Sequence, residues 1–137
     1  MKMQEQVKEF HEKFGLKIAE EKEDSPNKSL IQLRISLIME EFQETIEALD
    51  VLYRDAPFFY LEDYAKAIKE LADLMYVVLG TAVSFGIDME KVFDEVHRSN
   101  MSKVWEDGTI KRREDGKILK PPTYSPADIE KILTNTK

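Results

Sequence analysis

Two apolar helical seams in this chain are interrupted by acids at matching levels, and that constrains its fold more than any other feature. Between about Ser29 and Tyr53 the periodicity predicts a long helix with a seam of Leu30, Leu33 and Leu37 that resumes at Ala48 and Val51. Steps of four and three from Leu37 land on Glu41 and Glu44, and Glu40 lies about 40° from Glu44 around the helix. A second long helix, from about Leu61 to Phe85, carries Tyr64, Ile68, Leu71, Met75, Val78 and Leu79. Its stripe of Ala67, Glu70, Asp73 or Leu74, and Val77 again holds acids in the middle. Asp55-Ala56-Pro57-Phe58-Phe59 separates the two helices, because proline cannot donate to the helical ladder and restricts the residue before it. In an antiparallel hairpin, Glu44 is level with Glu70 and Glu41 with Asp73, both pairs being symmetric about Pro57. Four carboxylates then meet, and like charges that close raise one another's pKa and need a compensating cation.

The donor chemistry narrows the cation. The chain has no cysteine and two histidines, which removes thiolate sites, disulfides, cysteine nucleophiles and histidine-rich metal sites. Carboxylates alone select hard ions, Mg²⁺ or Mn²⁺, and the Glu-x-x-His pairs of a di-iron bundle are missing. The competing reading is a solvated acidic face over Glu40 to Glu47 with Lys or Arg partners one turn away. Coincidence of both acid pairs at one hairpin level favours the metal.

The remainder of the 137 residues fits one all-α domain, a four-helix-bundle-type chain over 1–137 with a motif core at about 29–105. A first amphipathic helix spans about Gln4 to Phe14 with Val7, Phe10 and Phe14 at helical spacing, and Glu20 to Lys28 reads as a loop. Gly86 should stop the third helix and Asp88 cap a fourth, running to about Val104. A basic C-terminal extension over about 106–137 follows. Its turn dipeptides Asp107-Gly108 and Asp115-Gly116 flank Lys111, Arg112, Arg113, Lys117 and Lys120 in a loop or small hairpin. Ser125-Pro126 should cap and open a short final helix. With 20 basic and 27 acidic residues the net charge is -7, a sign that disfavours nucleic-acid polymers and anionic membranes as partners. No apolar run reaches the roughly 20 residues of a membrane span, and the first residues lack a signal-peptide core, so a cytoplasmic location is expected.

Glu40-Glu41-Phe42-Gln43-Glu44 followed by Glu70-Leu71-Ala72-Asp73 resembles the EExxE…ExxD signature of the all-α NTP pyrophosphatases. That superfamily includes MazG proteins, dimeric dUTPases and phosphoribosyl-ATP pyrophosphohydrolase. His97 to Lys103 and Arg113 to Pro121 resemble the MazG-like group nearest the dimeric dUTPases, and the likeness covers about residues 30 to 125. It implies a MazG-like fold and hydrolysis of a nucleoside triphosphate between the α and β phosphates, giving a monophosphate and pyrophosphate. Magnesium would be held by Glu41, Glu44, Glu70 and Asp73, with Glu40 or Glu41 orienting or deprotonating the water. A house-cleaning activity on dUTP or another dNTP is the leading substrate reading. Phosphoribosyl-ATP is the runner-up, and a non-catalytic helical cation-binding or interaction module is the alternative from another class.

Substrate contacts are expected from Asn100 (sugar or base), Lys103 (phosphate), Arg112, Arg113 and Lys117, with Lys120 ranked below them. Arg34, on the stripe of Glu41, is expected to pair with an acid rather than meet a phosphate. His97 should be structural, His11 a surface residue, and Trp105 a packing anchor at the end of the fourth helix. Phe58-Phe59-Tyr60 should pack the hairpin end or a subunit contact. Apolar residues on more than one helix face (Leu49, Leu52, Tyr53, Tyr76, Val83, Phe85) imply a homodimer or homotetramer.

Overall fold

A computed structural model of the chain describes residues 1–134, so the last three residues of the expected basic extension lie outside the described residues. The described residues form five helices and no strand: α1 (Met3–Phe14), α2 (Lys28–Asp55), α3 (Leu61–Phe85), α4 (Met89–Met101) and α5 (Ile129–Thr134). The all-α expectation therefore holds. They divide into two compact units, Met1–Ile87 and the chain from Asp88 onward. No single described helix is long and apolar enough to cross a membrane.

In the first unit α2 and α3 pack as the antiparallel hairpin that the acid spacing requires. Asn27 starts α2, its side chain accepting the Leu30 amide at 2.9 Å, a cap that contributes about 1 kcal/mol. Buried Thr45 ties the two helices at their middle. Its hydroxyl lies 2.7 Å from the Glu41 carbonyl and 3.0 Å from that of Glu70, a level within one residue of the predicted register. At its far end α3 stops at Gly86, whose φ of 72° is left-handed. A Cβ there would also collide with the Glu21 carbonyl. The segment between α1 and α2 runs over this end, Ala19 and Glu23 donating their amides to the Val83 and Phe85 carbonyls at 3.1 and 2.9 Å. Carbonyls that a helix leaves without partners are thus satisfied by chain from elsewhere.

The buried line of α1 differs from the predicted one. Val7 and His11, at 2% exposure each, face inward, while Phe10 and Phe14 stay 39% and 66% exposed. His11 is therefore not a surface residue. A Cβ on Gly80 would lie 2.5 Å from Arg34 Nη2 and 3.0 Å from His11 Nε2, so glycine makes the room both side chains occupy. Across the described residues the buried apolar set is Val7, Ala48, Ala67, Ala82 and Val83. Among the described residues no leucine, isoleucine, methionine or phenylalanine is buried.

In the second unit Asp88 caps α4 as expected, accepting from the Glu90 and Lys91 amides. The helix ends at Met101, earlier than predicted, because the Ser102 hydroxyl donates to the Ser99 carbonyl at 2.6 Å and the chain tightens into three-residue turns. Trp105 accordingly sits in a turn beyond the helix, its amide donating to Thr109. The basic segment is the expected small hairpin turn, with Arg112 bridged to Ile118 and Gly116 at φ 89°. Ser125 does not open the last helix: its amide donates to the Ser102 hydroxyl at 2.9 Å. Asp128 takes that part, accepting the Lys131 amide at 3.1 Å.

Candidate metal centre

The hairpin register brings acids together at mid-height. Glu41, Glu44 and Glu70 each present a carboxylate oxygen, and the three oxygens all lie within 4.8 Å of one another. Glu70 is buried at 7% exposure, Glu41 is half-buried and Glu44 is exposed. Glu41 Oε2 and Glu70 Oε2 are buried with no hydrogen-bond partner among the described residues. Burial, then the charges of Glu44, Asp73, Glu70 and Glu40 in that order, push the Glu41 carboxyl above the ordinary carboxylate range. An orphaned buried carboxylate oxygen costs several kcal/mol unless something cationic meets it.

Asp73 stands differently. It is not in the close trio, and its Oδ2 lies 2.7 Å from Lys69 Nζ on the same helix. Glu40 is exposed and acts on Glu41 through its charge. The trio offers only oxygen donors, two of them buried and unpartnered, which fits a hard divalent cation. Neither histidine takes part: His11 Nδ1 pairs with the Lys17 carbonyl at 2.9 Å, and His97 is exposed on α4.

Arg34 departs from its expected acid partner. Buried at 5% exposure, it donates to Thr81 Oγ1 at 3.0 Å and to the Val77 carbonyl at 2.8 Å, and burial lowers its pKa. Lys69 and Thr45 were not singled out by periodicity. The signal for Lys69 is its four-residue spacing to Asp73, whereas Thr45 becomes informative only once the hairpin level is known.

The other predicted site residues belong to the second unit. Asn100 is exposed near the end of α4, and its carbonyl accepts the amide of half-buried Lys103 at 3.2 Å. Arg112, Arg113 and Lys117 are exposed on the hairpin turn. Arg113 is drawn into an ion pair with Asp115, and Lys120 Nζ lies 4.8 Å from the Tyr124 ring centre. Trp105 is half-buried under Lys111 Nζ at 4.2 Å from its ring centre, its indole nitrogen buried without a partner.

The family model described as phosphoribosyl-ATP pyrophosphohydrolase matches residues 7–100, a span that includes all five acids of the signature. No curated protein matches the chain.

Proposed function

Because the chain belongs to the phosphoribosyl-ATP pyrophosphohydrolase family, and so is a pyrophosphohydrolase acting on acid anhydrides, we propose that it cleaves the α–β bond of a nucleoside triphosphate at a Mg²⁺ centre. The products are NMP or dNMP and pyrophosphate, with dUTP or another dNTP as substrate and Mn²⁺ able to replace Mg²⁺. The observation that carries this reading is the buried, unpartnered Glu70 oxygen beside Glu41 and Glu44. Glu41, Glu44 and Glu70 hold the ion, and Asp73 completes the set. When bound, such an ion neutralises charge on phosphate oxygens and lowers the pKa of water. Glu41, committed as a ligand, leaves exposed Glu40 to orient the attacking water and take its proton.

The amide of Asn100 and the cations of Lys103, Arg112, Arg113 and Lys117 suit a phosphate-rich ligand and are assigned to substrate binding. Alanine at each should raise KM more than it lowers kcat. A homodimer or homotetramer and a cytoplasmic location belong to the same proposal. A second reading, phosphoribosyl-ATP as the substrate, is favoured by the description of the matching family.

A product assay over NTPs, dNTPs and phosphoribosyl-ATP with Mg²⁺ tests both. Monophosphate and pyrophosphate, abolished by EDTA and by Glu44→Ala, are the expected result. A diphosphate product, or turnover that survives EDTA, would overturn the mechanism. The best substrate decides between the two readings.

A further inference from the structure

Lys69 precedes Glu70 by one residue and Asp73 by one helical turn. Its Nζ is 2.7 Å from Asp73 Oδ2, with side-chain exposures of 69% for the lysine and 34% for the aspartate. As a solvent-screened pair four residues apart it adds little to the helix. Its surroundings give it a second role. Among the described residues this is the only ion pair made by Glu41, Glu44, Glu70 or Asp73. The ammonium is also attracted by Glu70 and Glu41, while two carboxylate oxygens of the trio remain unpartnered.

We propose that Lys69 competes with the divalent ion for Asp73 and thereby sets how tightly the centre holds its metal. This inference rests on the metal-centre reading above. An ion held by Glu41, Glu44 and Glu70 would have to share Asp73 with an ammonium that already occupies its Oδ2, and two cations drawn to one carboxylate repel each other. Lys69 thus weakens metal binding while offsetting repulsion among the acids of the metal-free protein. It is a positioning residue that acts through Asp73.

Calorimetric titration of Mn²⁺ into the full chain, wild type against Lys69→Met, Lys69→Gln and Lys69→Arg, tests it. Both neutral variants should bind Mn²⁺ about three- to tenfold tighter at low salt, and the difference should shrink near 0.5 M salt, where the Debye length falls below about 5 Å. Lys69→Arg should stay close to wild type. Metal-free Lys69→Met should also melt at a lower temperature, since the acids lose their counter-charge. Equal or weaker Mn²⁺ binding by the neutral variants, with wild type binding normally, overturns the competition and leaves the metal centre standing. Absence of Mn²⁺ binding to wild type overturns the metal centre, and this inference with it.

Discussion

Glu70 and Gly80, ten residues apart on α3, set the chemistry and the packing of their helix in opposite ways. At Glu70 a carboxylate oxygen is buried with no hydrogen-bond partner among the described residues. Glu70→Gln should therefore raise the stability of the metal-free protein by about 1 kcal/mol, the scale of one relieved like-charge contact. It should also cost about 3 kcal/mol of transition-state stabilisation, roughly 100-fold in turnover. Thermal melts in EDTA and initial rates in Mg²⁺ read the two effects, and a less stable metal-free variant would argue against uncompensated charge. Glu41 adds a pH signature. Its folded pKa lies above the unfolded value of 4.5, so the folded state binds the extra proton. The Glu41 contribution to metal-free stability is then fullest below pH 4.5 and declines as pH rises through its folded pKa. Saturating Mg²⁺ should remove that decline. Gly80 is the reverse case, an absence of side chain on which Arg34 and His11 depend. Gly80→Ala forces Arg34 from the Val77 carbonyl and should destabilise by about 1–3 kcal/mol in urea titrations.

At the level of elements, two hydrogen-bonded staples define the helical scaffold. Thr45→Val keeps the shape of the side chain but removes the hydroxyl shared by the Glu41 and Glu70 carbonyls. The loss should be about 1 kcal/mol, with weaker Mn²⁺ binding because the backbones carrying two of the proposed ligands are no longer tied at one level. In the second unit the Glu95 carboxylate accepts from Arg98 at 2.8 and 2.9 Å and from the Asp128 amide at 3.0 Å, joining α4 to the start of α5. Those partners, Arg98 first, hold its pKa down to about 2. A depressed carboxylate contributes stability above its unfolded value of 4.5, and that contribution is lost as pH falls toward about 2. Hydrogen exchange at the Asp128 amide should accelerate across that window relative to amides elsewhere in the unit, and uniform rates would dismiss the staple. These elements also mark how far the sequence can be read. The limits of α3, the Asp88 cap and the hairpin level follow from local spacing and cap chemistry. The end of α4 and the start of α5 depend on Ser102 meeting Ser125 across 23 residues, which no local pattern announces. The acidic trio was legible because charge in a seam breaks a periodicity. Lys69 on Asp73 was not, because an exposed lysine breaks none, and the burial of His11 depends on a side chain that Gly80 lacks.

For the whole molecule, the question is what covers the apolar surface of the hairpin. On α2 the residues Ile35, Met39, Phe42, Ile46, Leu49 and Tyr53 repeat at alternating steps of four and three, and all are at least 38% exposed. On α3 the residues Tyr64, Ile68, Leu71, Met75 and Val78 repeat in the same way and are equally bare. The two series run level: Phe42 falls opposite Leu71 and Ile46 opposite Ile68, close to the symmetry point that relates Glu44 to Glu70. Alternating four-three spacing is the pattern by which helices seat side chains into a neighbouring helix pair. An unpartnered seam of this length is unusual for a monomer. A second copy of the hairpin presents the same two seams, so a two-fold pairing buries all of them at once. Each large side chain fully covered contributes about 1.5–3 kcal/mol, which together exceeds an association cost of about 4–15 kcal/mol. The protein should therefore scatter light at no less than twice its 16.0 kDa chain mass at micromolar concentration. Phe42→Glu, which sets like charges against each other across such an interface, should shift that mass toward the single chain and expose the seam to solvatochromic dye. A wild-type mass of one chain at micromolar concentration would leave these seams to some other partner and remove the two-fold assembly from the proposal.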